Sequence, residues 1–147
     1  MTNPAGETRT VVVEREVAHP PEKLWRALTQ PHLIEEWLMK NDFKPVTGHK
    51  FRLSREPKPD VKVAIDCEVL KVEPNRTLSY SWVAYGLDSV VTFTLTPTAT
   101  GTHLRLEQSG FTADQKAAFK GAKASWPQFL AALERVLEQD DNEGDNA

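Results

Sequence analysis

Apolar residues recur at every second position through most of the chain, and at every third or fourth near its start and end. From Thr10 to Val17, the residues Val11, Val13, Arg15 and Val17 alternate with Val12, Glu14 and Glu16, which predicts a half-buried strand. Pro20-Pro21 ends it and suits the first turn of a helix, with Glu22 near the positive end of the dipole. Leu24, Trp25 and Leu28 then share one helical face, and Pro31 opens a second short helix with Leu33, Ile34, Trp37 and Leu38 on a stripe.

From Asn41 the period changes to two. Phe51 and Leu53 alternate with Lys50 and Arg52, and Glu56 to Asp60 reads as a proline-rich loop. The clearest amphipathic strand follows, with Val61, Val63, Ile65, Cys67 and Val69 against Lys62, Asp66 and Glu68. Turns at Pro74-Asn75, Tyr85 to Asp88 and Ala99 to Gly101 separate Leu78/Tyr80/Trp82, Val91/Phe93/Leu95 and Leu104/Leu106. Strands joined by short turns form an antiparallel meander. Thr112 and Asp114 mark the start of a long helix, whose stripe runs from Phe119 through Trp126 and Leu130 to Leu137. Pro127 lies inside that stripe, so the expectation is a kink near residues 123–126, or two abutting helices with Ser125 as a cap.

The order is strand, two short helices, about six strands, and one long helix. An antiparallel sheet with one apolar face needs a cover, and the last helix carries a matching stripe. The fold class is therefore α+β: a curved antiparallel sheet of about six to seven strands wrapped around a long C-terminal helix. One domain over residues 10–139 is expected, with flexible tails at 1–9 and 140–147.

Composition narrows the function. The 147 residues are 39% hydrophobic and 27% charged, with a net charge of −3. A chain of this size buries roughly 68–70% of its unfolded surface without needing disulfides or metal. No basic excess points to nucleic acid. No apolar run reaches the ~20 residues that span a bilayer, and no apolar leader opens the chain. Cys67 is the single cysteine, which fits a reducing cytoplasm.

The segment His19-Pro20-Pro21-Glu22-Lys23-Leu24-Trp25-Arg26-Ala27-Leu28-Thr29, followed by Pro31 and Glu36-Trp37, resembles the opening of the AHSA-type family. Trp126, Phe129-Leu130, Leu133-Glu134 and Leu137 resemble its closing helix. These proteins are homologues of the activator of the heat-shock protein 90 ATPase, within the START/SRPBCC superfamily. The resemblance covers nearly the whole chain and implies the helix-grip (START-like) fold. It also implies a cavity between sheet and long helix that holds lipids, polyketides or flavonoid-like molecules. Departures from the family pattern at His19, Leu38 and Ser125 fall near the expected cavity mouth.

The candidate ligand-binding residues are Trp37, Phe51, Ile65, Tyr80, Trp82, Phe93, Phe119, Ala122, Trp126 and Phe129. Large aromatics more often serve plain core packing, but as a group on a bent sheet they would line a pocket. Arg15, on an apolar strand face, either meets a ligand carboxylate or phenolate as a polar anchor, or pairs with an acid. Asp66 and Glu68 should face solvent. The four histidines and Cys67 lack metal-ligand spacing, so neither metal nor other cofactor is expected.

Three functions are open. The first is binding of a small hydrophobic or aromatic molecule by a monomer or homodimer. The second is a cyclase, aromatase or hydrolase using Arg15 and Tyr80, although no residue set demands an enzyme. The third is a chaperone-interacting stress-response module.

Overall fold

The computed structural model describes residues 8–145. Strand β1 (Thr8–Val17) leads into helices α1 (Pro21–Thr29) and α2 (Pro31–Trp37). Then come β2 (Lys40–Asn41), β3 (Lys50–Lys58), β4 (Val61–Glu73), β5 (Thr77–Ala84), β6 (Leu87–Thr98), β7 (Gly101–Thr112) and the long α3 (Lys116–Asp145). All seven strands form one sheet in the order β1-β7-β6-β5-β4-β3-β2, and every adjacent pair is antiparallel. With two short helices and a long terminal one, this is the helix-grip architecture.

The boundaries differ from expectation in places. β1 starts at Thr8 and α3 continues to Asp145, so both take in residues expected as tail. The remaining tail residues, 1–7 and 146–147, lie outside the described residues. β3 runs through Glu56 to Lys58, where a loop was expected. The ladder slips there between Arg55 and Lys58, an irregularity that accommodates Pro57 in the strand. Thr112 ends β7 rather than starting α3. Its amide donates to Gln115 Oε1 at 2.9 Å, and Phe119 N–H donates to the Gln115 carbonyl at 3.0 Å, so Gln115 and not Asp114 organises the helix start. α3 is one helix through Pro127, so no second helix begins at Ser125.

The predicted alternation sets the faces. Ile65, Cys67 and Val69 on β4 and Val91, Phe93 and Leu95 on β6 are buried. Asp66 is exposed and holds Arg52 of β3 at 2.9 Å on the outer face. From α3, Trp126, Leu130, Leu133 and Leu137 enter the same core. α3 touches β1, β7, α1 and α2. The Trp37 indole donates to the Ala27 carbonyl at 2.8 Å and clamps α2 to α1.

One glycine changes the face of a strand. At Gly110 the β1–β7 register shifts, since Arg9 pairs with Phe111 but Thr10 pairs with Ser109. Gly110 has φ +111°, and a Cβ there would stand 2.7 Å from the Asp88 carbonyl oxygen. The bulge resets the parity of β7, so Leu104, Leu106 and Gln108 face inward, and after the bulge Phe111 does as well. Gly121, inside α3, meets nothing within 4 Å.

The two glycines predict opposite signs. Gly110→Ala should destabilise by at least about 1 kcal/mol, because alanine there has both a strained φ and a backbone clash. Gly121→Ala should stabilise by about 0.5–1 kcal/mol through helix propensity. Urea midpoints at unchanged m-value measure both.

Candidate ligand-binding hollow

Most of the space between sheet and α3 is filled by the protein itself. A continuous run of ring contacts crosses it: Phe51 to Tyr80 at 5.1 Å, Tyr80 to Phe93 at 6.0 Å, and Phe93 to Trp126 at 6.0 Å. Trp37 meets Phe93 edge-on at 6.1 Å. Such edge and tilted geometries are preferred by aromatic quadrupoles. Trp37, Phe51, Ile65, Tyr80 and Phe93 are thus core residues, each 5% exposed or less. Burial pushes the Tyr80 hydroxyl pKa well up. Phe119 sits against Phe111 at 5.5 Å, with Arg9 and Lys123 over its ring.

At one end the packing opens. A hollow of about 170 Å³ lies between the first half of α3 and the β5–β7 strands. Trp82, Ala122, Trp126 and Phe129, four of the candidate residues, line it together with Gln108 and Phe111. Trp126 stands 5.4 Å from Trp82 and 5.5 Å from Phe129, ring centre to ring centre. Ser125 also borders the hollow. Leu38 borders a neighbouring groove, whereas His19 lies beside Pro20 and Gly101 in a separate hollow. Of the three departures from the family pattern, His19 is therefore not at this mouth.

A buried polar chain crosses the wall. The Trp126 indole donates to Gln108 Oε1 at 2.7 Å, the Gln108 amide donates to Ser89 Oγ at 3.0 Å, and Ser89 donates to the Trp82 carbonyl at 2.8 Å. Gln108 is 2% exposed and Ser89 1%. Sequence reasoning missed both, although their parity with Leu106 and Val91 places them on the inward face.

Arg15 lies elsewhere. Its Nε contacts Glu134 Oε1 at 2.6 Å, which ties β1 to α3, and neither Arg15 nor Tyr80 lines the hollow. The two polar groups that an enzymatic reading would use are not brought together there. Among the described residues no three His, Cys, Asp or Glu side chains gather as a metal site requires. His103 instead bridges Glu14 and Glu16 on the outer face, and its hydrogen bonds to those carboxylates raise its pKa. Among the described residues no helix is long and apolar enough to cross a membrane.

The geometry defines a helix-grip protein with a small aromatic-walled hollow under its terminal helix. The model of a family described as "Activator of Hsp90 ATPase homolog 1-like protein" matches residues 18–138, and the chain belongs to that family. Protein MLL2253 from Mesorhizobium loti is 64% identical with a TM-score of 0.82, over 89% of this chain and 98% of that one. CalU16 from Micromonospora echinospora is 26% identical with a TM-score of 0.73, over 97% and 85%. DynU16, a protein in the dynemicin biosynthetic locus, is 27% identical with a TM-score of 0.76; the match covers 88% of this chain and 47% of that one. Among curated proteins none matches the chain.

Two properties of the interior can be measured directly. Burial, with Asp66 and Asp42 nearby, pushes the Cys67 thiol up to about 12. At pH 8 its alkylation by iodoacetamide should be on the order of a thousandfold slower in native than in unfolded protein, read by mass. Gln108→Leu strands the Trp126 indole N–H and should cost about 1–3 kcal/mol in urea unfolding.

Proposed function

We propose that this protein binds a small hydrophobic or aromatic molecule, of the lipid, polyketide or flavonoid-like kind, in the hollow beneath α3. The observation that carries the reading is a pocket walled by Trp82, Trp126 and Phe129 with the Gln108 amide set into it. The helix-grip family commonly binds hydrophobic ligands. The likeness to DynU16, a protein in the dynemicin biosynthetic locus, supports a small-molecule ligand. Apolar burial supplies the affinity, at roughly 25 cal/mol per Å² before the costs of association. The buried amide fixes orientation through a ligand hydroxyl or carbonyl, as the few polar groups of an apolar pocket do.

Size selects within the class. At about 170 Å³ the hollow is smaller than the ~300–1,000 Å³ of drug-sized sites. It holds one or two rings, or one end of a longer molecule. A cytoplasmic setting agrees with the reading, since the single buried thiol needs no oxidising environment.

A panel of fatty acids, flavonoids and polyketide-like aromatics tests it by NMR on uniformly labelled protein. One- and two-ring compounds should shift the indole N–H signals of Trp82 and Trp126, leaving Trp25 unmoved. Ala122→Phe, which fills the hollow from α3, should abolish the response. A silent spectrum with every class, from a correctly folded sample, would overturn the proposal.

A further inference from the structure

Along β3 the inward stripe reads Phe51, Leu53, Arg55. The first two are buried, but the third is an exposed guanidinium, laddered against Val63 of β4. Of the other β-sheet arginines, Arg15, Arg52 and Arg105 each hold a carboxylate, of Glu134, Asp66 and Glu107, and Arg9 lies over the Phe119 ring. Arg55 has no such hydrogen bond or ion pair among the described residues. It continues a core-facing row, yet carries an uncompensated charge at the place where the core stops.

That place is the rim of the hollow. Met39 and Arg55 are the two residues shared by the 170 Å³ hollow and a larger groove of about 780 Å³. The groove runs from the end of α2 across β3 to β4. Its basic residues Lys40, Arg52, Arg55 and Lys62 outnumber the acidic Glu35 and Glu56. Arg52 is held by Asp66 and Lys62 lies 3.9 Å from Glu56, which leaves Arg55 and Lys40 against Glu35, a net charge of one positive. Met39 is a buried, unbranched thioether, the side chain best suited to yield between two spaces.

We infer that Arg55 receives the anionic group of an amphipathic ligand whose apolar end lies in the hollow, so that the site prefers aryl- or alkyl-carboxylates to their neutral counterparts. The inference rests on the proposed use of the hollow and adds the charge of its occupant. A guanidinium fork matches a carboxylate with two parallel N–H···O bonds. At a solvent-exposed rim the attraction is screened, so the preference is about tenfold and salt-dependent.

The probes are 4-phenylbutyrate and 4-phenylbutanol, matched in body and differing in charge. Calorimetric titration at low salt should show the acid binding about tenfold tighter. The Trp126 indole N–H should shift with both. High salt should shrink the difference, and Arg55→Gln should remove it by lowering the acid's affinity far more than the alcohol's. Equal affinities in the natural protein, or a preference that survives in Arg55→Gln, overturn the inference and leave the hollow standing as a binding site. If neither compound moves the Trp126 signal at millimolar concentration, the inference falls, while the use of the hollow is decided by the wider panel of fatty acids, flavonoids and polyketide-like aromatics.

Discussion

A buried indole N–H needs an acceptor, and Trp126 finds one across the core rather than on its own helix. Leaving that donor unpaired in an apolar interior would cost about 1–3 kcal/mol. The acceptor, Gln108, sits on β7 and is itself held by Ser89 of β6, which in turn is tied to the Trp82 carbonyl on β5. One polar requirement therefore positions α3 against three consecutive strands. Hydrophobic burial drives the helix onto the sheet, but it is indifferent to a slide of one residue. The indole–amide bond supplies the direction that burial lacks.

The distribution of open and filled space follows from that placement. Leu130, Leu133 and Leu137 of α3 are fully buried in one cluster with the aromatic and branched residues of the sheet. In its first half α3 presents smaller residues, Ala118, Ala122 and Ser125, beside Trp126 and Phe129. The Trp126 ring, fixed by its hydrogen bond to Gln108, cannot collapse onto these small neighbours. A packed core and an adjoining hollow are thus two outcomes of one helix stripe, decided by residue size along it.

Much of this was legible in the sequence. Strict alternation placed the strand faces, and proline and turn residues placed most boundaries. The resemblance carried by the Pro20–Thr29 and Trp126–Leu137 segments named the family. The extent of filling was not legible, because alternation tells which residues face inward and not whether their volumes meet. Phe51, Tyr80 and Phe93 face the expected space and simply occupy it. Gln108, Ser89 and Arg55 are not legible from an apolar stripe, because each is a polar residue at its end. The same parity, carried one step further, places all three on the inner face. Residues 112–115 look like a helix start because Thr and Asp are good caps, but the strand pairing of Thr112 with Thr8 claims that segment first.

The bulge at Gly110 bears on how such a pocket can diversify. Its glycine is wedged against the β6 backbone at Asp88, so β7 cannot slip against β6 to bring a new set of side chains inward. The strand wall behaves as a fixed jig, and any retuning for a different guest must come from point changes on the helix or at the strand tips. A lineage of such proteins would keep its sheet register while its helix face drifted.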